Sequence, residues 1–267
     1  MEFLNINRIR LKLNLKRKYK LIQISDCHAV KSSDELSMQR ELNWMNMKQY
    51  FASIHQEKYD SSAHSISSVA CLNKLIDYCN QESHDLVMFS GDIIDYYSVD
   101  NYKLLSEELD KVKDMTLFVC GNHEKPSDKY KELSILRNPS VQLVDLGELF
   151  VVGFDNSERL FKQDQLDFLK KLNTINKPII VCMHVPIVTE YNRNYFENLY
   201  NDYYYIDCLD CDELTKEFID FLCEEDNIKA IFCGHCHGKS GTYFTNEKRE
   251  YVCSSGLIGA LNEIIIE

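Results

Sequence analysis

Residues 85–95 read Asp-Leu-Val-Met-Phe-Ser-Gly-Asp-Ile-Ile-Asp. The run Asp85–Ser90 has an apolar centre, breaks at Gly91, and is followed by carboxylates at Asp92 and Asp95. A short apolar run bounded by turn residues reads as a strand. In α/β sheets the loops that hold ligands gather at the carboxyl ends of strands. The stretch therefore predicts an α/β fold with its chemistry just beyond Ser90.

Four other segments repeat the arrangement. Asp26-Cys27-His28 follows the run Lys20–Ser25, and Gly121-Asn122-His123-Glu124 follows Thr116–Cys120. Met183-His184-Val185-Pro186 closes the run Pro178–Met183, and Gly234-His235-Cys236-His237-Gly238 follows Lys229–Cys233. Five of the eight histidines fall in these segments; His55, His64 and His84 fall outside them and read as surface residues. Each motif alone is commonplace, since a Gly-Asp or Gly-Asn pair is usually a turn. The joint set carries the meaning: Asp26, Asp92 and Asn122 offer oxygen, and His28, His184, His235 and His237 offer nitrogen. That donor mixture suits borderline divalent ions such as Mn²⁺, iron or Zn²⁺ better than Ca²⁺ or Cu⁺. Seven donors exceed what one catalytic ion with an open position needs. They suit two ions about 3.5–4 Å apart that share a carboxylate.

Further strand-like runs occur at Gln142–Asp145, Leu149–Phe154 and Glu250–Ser254, and residues 8–15 alternate with period two. Helical patterns lie at 66–79, where Val69, Leu72, Leu75, Ile76 and Cys79 share a face, and near 101–113, 127–136, 163–172 and 212–225. Strands alternate with helices early and pair like hairpins late. The expectation is a mixed sheet, or two sheets packed together, in one domain spanning 1–267. Residues 30–62 form a long polar stretch that reads as a lid or a rim insertion, as does 190–210.

Composition narrows the classes. The net charge of −12 disfavours a protein whose task is gripping nucleic acid. Residues 1–20 carry seven Lys/Arg against one Glu. This basic start reads as an edge hairpin, because lysines guard exposed sheet edges. Eleven cysteines, an odd number, without a secretory leader imply reduced thiols in a cytoplasmic protein. No apolar run is long enough to span a membrane.

From about Leu21 to Ile258 the sequence resembles the calcineurin-like metallophosphoesterases. The resemblance rests on Asp26-x-His28, Gly91-Asp92-x-x-Asp95, Gly121-Asn122-His123-Glu124, His184 and Gly234-His235-x-His237. It implies a four-layer α/β/β/α sandwich: two mixed β-sheets flanked by helices, with two divalent metal ions at one end. Carried over residue by residue, Asp26, His28 and His237 hold one metal, Asn122, His184 and His235 hold the other, and Asp92 bridges them. His123 stands beside the leaving group, and Asp95 orients it. The implied reaction is in-line attack on phosphorus by a metal-activated hydroxide. Glu124 supports the ligand shell. Cys27 and Cys236 point away from the metals by alternation along an extended segment.

Protein Ser/Thr phosphatases of this superfamily place phosphate-gripping arginines where this chain has Tyr96 and Cys120. The expected substrate is therefore a small-molecule phosphomono- or diester, a class that includes cyclic nucleotides and other nucleotide-type compounds. The rival readings are a nuclease, disfavoured by the acidic charge, and a catalytically silent scaffold, which would lack a ligand or His123. Cys208-x₂-Cys211 and Cys233-x₂-Cys236 approximate a zinc-ribbon spacing but read as incidental, because Cys236 sits between two metal-ligating histidines. Glu190–Tyr205 holds six tyrosines and Arg193. There Tyr191 and Tyr195 are candidates for stacking on a substrate ring, and Arg193 for pairing with phosphate. Trp44 falls in the 30–62 stretch that would cover the site.

Overall fold

The computed structural model describes residues 4–31, 33–54, 65–112, 115–125 and 140–267. The helix expected near 127–136, together with His55 and His64, lies outside them.

Two large sheets are packed together, beside a two-stranded one formed by β8 (Ile187–Val188) and β9 (Ile206–Asp207). The first has the order β1 (Asn5–Leu11), β13 (Ala260–Ile266), β2 (Tyr19–Ile24), β3 (Leu86–Phe89) and β4 (Thr116–Phe118). The second runs β11 (Ser240–Tyr243), β12 (Arg249–Val252), β10 (Ile228–Cys233), β7 (Ile179–Cys182), β6 (Phe150–Phe154) and β5 (Val141–Asp145). Strands β2, β3 and β4 are parallel, as are β6, β7, β10 and β12, while β5 and β11 turn back antiparallel at the two edges. Both sheets are thus mixed.

The inner faces share a core that includes Leu21, Met88, Leu117, Val151, Ile180, Phe232 and Ile264. On the outer face of the first sheet, α2 (Ser68–Gln81) and α3 (Val99–Leu109) bury Leu72, Leu75, Leu104 and Leu105 against Ile22, Val87 and Phe89. On the outer face of the second, α4 (Gln163–Asn173) and α6 (Glu213–Glu224) bury Leu166, Leu169, Phe218 and Leu222 against Val152, Val181 and Ile231. Each such side chain contributes about 1.5–3 kcal/mol on leaving water. Because β2, β3, β7 and β10 are covered on both faces, β3 and β7 read as unbroken apolar runs, and β2 and β10 as apolar runs interrupted only by Lys20 and Gln23 and by Lys229. The helices start where oxygen side chains accept their first free amides: Ser67 from Ala70 at α2 and Asp212 from Thr215 at α6. The four-layer α/β/β/α order expected from the resemblance is present.

Two expectations change. The basic start is an edge strand but forms no hairpin with β2, because β13 lies between them, parallel to β1 and antiparallel to β2. The polar stretch after His28 contains a helix, α1 (Glu35–Ile54), begun by the Asp34 carboxylate accepting from the Ser37 amide at 2.7 Å. Its buried positions include Ser37, Glu41, Lys48, Phe51 and Ala52, while Leu36, Met38, Leu42 and Tyr50 stay exposed. A helix buried on its polar residues shows no apolar period.

Candidate metal centre

The seven candidate donors leave the carboxyl ends of β2, β3, β4, β7 and β10. The loops after β2 and β3 are laced together, with the Asp26 amide donating to the Gly91 carbonyl and the His28 amide to that of Asp92. Glu124, fully buried, closes the next loop onto them. One of its oxygens accepts from the amides of Asp92 (2.8 Å) and Gly121 (2.7 Å), the other from Ile94 (3.0 Å). A Cβ at Gly121 would meet the Asp92 nitrogen at 2.6 Å, so this approach requires glycine. Asn156 holds the loop after β7, its side-chain oxygen accepting from the amides of His184 and Val185 at 3.0 Å.

These loops bring the donors to one place. Nε2 of His28 lies 2.9 Å from Nε2 of His237, and Nδ1 of His237's neighbour in the motif, His235, lies 3.1 Å from Nε2 of His184. That His184 nitrogen is 3.2 Å from the Asn122 side-chain oxygen and 3.2 Å from the Asp92 carboxylate. Asp26 lies 3.5 Å from His237. Among the described residues three groups of potential ligand atoms emerge: Asp26, His28 and His237; Asp92, His184 and His235; and His28, Asp92 and His123. Asp92 belongs to two of them. Facing imidazole nitrogens beside buried carboxylates form a donor set that a cation satisfies, so the residues fit the divalent metals implied for them.

The backbone is strained at the same residues. Among the described residues eight non-glycine residues have positive φ, and five are Asp26 (52°), His28 (42°), Asp92 (53°), His235 (68°) and His237 (57°). Left-handed backbone is uncommon outside glycine and is held only where surroundings over-determine it. Here the surroundings include the His235 amide, which donates to both oxygens of Asp26 at 3.0 Å. The Ser255 hydroxyl also donates to the Asp26 carbonyl at 2.7 Å.

Electrostatics divides the histidines. Burial lowers the pKa of His28, of His237 and of His235, the last to about 3, so they present neutral lone pairs. His184 moves the other way, to about 9, because burial is outweighed by the charge of Asp92 and the hydrogen bond to it. His123 also rises to about 9: burial opposes the cation, but the hydrogen bond to Asp95 and the charge of Asp92 outweigh it. Its Nδ1 lies 3.2 Å from an Asp95 carboxylate oxygen and also donates to the Asp95 carbonyl. Asp95 is held well below the ordinary carboxylate range despite burial, by the neighbouring imidazoles of His123 and His28 and the hydrogen bond from Arg40.

The calcineurin-like phosphoesterase family model matches residues 19–239, most of the chain. The protein belongs to that family. It is accordingly a phosphoric ester hydrolase. Over 82% of its length it is 26% identical to a protein of Coxiella burnetii named "probable cyclic nucleotide phosphodiesterase", covering 75% of that protein. Over 83% it is 25% identical to a "probable glycerophosphodiester phosphodiesterase" of Arcobacter nitrofigilis, covering 73% of it. A dimetal phosphatase from Danio rerio superposes with a TM-score of 0.61 over 91% of both chains at 12% identity, a likeness of fold.

Around the candidate donors this phosphoesterase has a rim that the sequence indicated only in part. Trp44 on α1 stacks on His28 with ring centroids 3.9 Å apart and planes at 18°, and Phe51 meets His237 edge-on at 4.4 Å. Tyr203 and Tyr204 each stand 5.5 Å from the His235 ring. The Asn122 amide reaches the Tyr203 hydroxyl at 3.4 Å. The tyrosine-rich segment thus does meet the centre, but through Tyr203 and Tyr204.

The three substrate-contact candidates are placed otherwise. Arg193, the first residue of α5 (Arg193–Leu199), is clamped by both oxygens of Asp207 at 2.7 Å and by Glu197 at 3.0 Å. Tyr195 packs against the outer core of the second sheet beside Phe196. Tyr191 lines a surface pocket with Thr189, Cys208 and Asn246, to which no candidate ligand contributes. The sequence offered no way to tell which tyrosine of the segment turns inward. Arg40 was missed altogether, because α1 gives no periodic signal. Cys27 and Cys236 are buried in the cores on either side of the centre, and among the described residues no potential metal group contains a cysteine.

Proposed function

We propose that the protein is a dinuclear metal-dependent hydrolase of small phosphodiesters, with a nucleotide-type substrate favoured. The observation that carries this reading is the convergence of Asp26, His28, Asp92, His184, His235 and His237, with Asp92 common to two clusters and the Asn122 oxygen 3.2 Å from His184. Asp26, His28 and His237 would hold one ion, Asn122, His184 and His235 the other, and Asp92 both. Two cations so held would lower the pKa of water and neutralise charge on the phosphoryl oxygens. The chain's own residues would do the rest. His123 would hand a proton to the ester oxygen as its bond to phosphorus breaks, while the oxygen of water completes the new phosphate. Asp95 would keep the imidazole turned to that task. Glu124 would hold the Asp92 and Gly121 amides, and so the bridging carboxylate, in place.

The diester preference draws on the two relatives, both named phosphodiesterases. The exposed Tyr203 ring beside Asn122 supports a substrate with a planar base, since a ring face stacks on another. The test is hydrolysis of bis-p-nitrophenyl phosphate, p-nitrophenyl phosphate and cyclic nucleotides by protein loaded with Mn²⁺, Fe²⁺ or Zn²⁺. Diester turnover that chelation abolishes is expected. Failure on every ester under every metal would overturn the reading, and a monoester preference would overturn its diester part.

A further inference from the structure

Helix α1 brings a cation to the Asp95–His123 pair. Arg40 Nη1 lies 2.9 Å from one oxygen of Asp95, whose carboxylate is wholly buried. The other oxygen faces His123 Nδ1 at 3.2 Å and His28 Nδ1 at 3.7 Å. The guanidinium rests on the ring of the next residue, Tyr96, with Cζ 4.7 Å from its centroid.

A carboxylate tied by one oxygen can still rotate about its Cβ–Cγ bond, and rotation would carry the second oxygen away from the imidazole. The bond from Arg40 removes that freedom, because a charge-assisted bond to a planar guanidinium fixes the far oxygen in direction as well as distance. Arg40 is itself fixed. One residue along α1, the Glu41 carboxylate accepts from the Ser68 amide at 2.7 Å and from the Ser68 hydroxyl, an anion seated at the start of α2. One turn further, Trp44 lies flat on His28. The helix cannot shift without breaking buried contacts on both flanks.

We propose that Arg40 is a positioning residue for hydrolysis: it locks the Asp95 carboxylate and thereby aims His123 at the departing ester oxygen. This rests on the function proposed above. The benefit is then confined to substrates whose leaving oxygen needs a proton. A phenolate of high basicity gains from a well-aimed donor, and p-nitrophenolate, stable as an anion, gains little.

The test compares wild type, Arg40→Gln and Arg40→Lys, all as full-length Mn²⁺-loaded protein, on two aryl methyl phosphates, one losing p-nitrophenolate and one losing unsubstituted phenolate. For Arg40→Gln, kcat on the phenyl ester should fall about tenfold further than on the p-nitrophenyl ester, with metal content retained and KM nearly unchanged. Arg40→Lys should recover part of the difference, since it keeps the charge and loses the planar fork. Equal losses on both esters overturn the assignment, and equal losses with a raised KM would make Arg40 a phosphate contact. If Arg40→Gln sheds its metal, Arg40→Lys decides: a steeper leaving-group dependence supports the proposal and a wild-type dependence overturns it. A wild type inactive on both esters would overturn the underlying function and this inference with it.

Discussion

Glu124 offers the sharpest check on how the centre is held. Its carboxylate is wholly buried and takes three backbone amides, from Asp92, Ile94 and Gly121, at 2.7–3.0 Å. Glu124→Gln preserves shape and volume, so no cavity complicates the result. The amide has one accepting oxygen, which can keep the two amides of Asp92 and Gly121. Its NH₂ group must then face the Ile94 N–H, leaving a buried donor unsatisfied at a cost of about 1–3 kcal/mol. The two retained bonds lose their charge assistance, about 1 kcal/mol each. Relief of carboxylate burial offsets part of this, since burial already pushes the Glu124 pKa up to about 7. A net loss of about 2–4 kcal/mol follows, equivalent to a drop in Tm of roughly 5–15 °C in a chain of this size. Differential scanning fluorimetry of the metal-free variant measures it, and elemental analysis after Mn²⁺ loading should show weakened retention. An unchanged Tm with normal metal content would refute the claim that this carboxylate positions the two loops.

Trp44, the sole tryptophan, stacks on His28, so Mn²⁺ titration should quench its fluorescence strongly; an emission spectrum indifferent to saturating Mn²⁺ would contradict the stacking on a ligand. Arg193→Ala should lower Tm by about 2–6 °C through loss of the bidentate Asp207 pair, leaving KM for diesters nearly unaltered. A large rise in KM at constant Tm would return Arg193 to the substrate. Glu250 is wholly buried, and burial pushes its pKa up to about 8 despite the Ile187 amide at 2.9 Å. A raised carboxylate pKa means the folded state binds more protons than the unfolded one between about pH 4.5 and 8, so stability should decline across that window. Thermal scans should show this decline flattened in Glu250→Gln, and an identical slope in the variant would exclude Glu250 as the cause. Gly121→Ala should unseat Asp92 and cost most of the bound metal, read by elemental analysis, because the added methyl has only the Asp92 backbone and carboxylate to occupy.

The sequence made some parts of the molecule legible and hid others for physical reasons. Strands β2, β3, β7 and β10 are buried on both faces, so their apolar runs stood out, and the ligand loops followed directly from them. The candidate donors stood out because carboxylate, amide and imidazole at strand ends are what metal chemistry would choose and packing would not. Helix α1 was not, since its inward face is Ser37, Glu41 and Lys48 and its outward face carries Leu36 and Leu42. Without that helix neither Arg40 nor the role of Trp44 could be inferred. The ending of the tyrosine segment was equally opaque. Tyr191, Tyr195 and Tyr203 are chemically alike, and only the path of the backbone past His235 selects Tyr203. Strand β13 is interrupted by Asn262 and Glu263, which belong to buried polar contacts with Gln23 and Tyr78, so its apolar content understates its depth.

The place of β13 bears on how the protein comes into being. Asn5 pairs with Ala260 and Leu11 with Ile266, so the first sheet waits on a partner about 255 residues downstream. Until that segment has left the ribosome, β1 has nothing to pair with and the flank of β2, the strand that delivers Asp26 and His28, stays open. Such distant pairing is slow and leaves an unpaired strand edge exposed to other chains while synthesis proceeds. The basic residues of β1, Arg8 and Arg10, would then protect a nascent chain as much as a finished one, by repelling their counterparts on neighbouring polypeptides during the interval before closure.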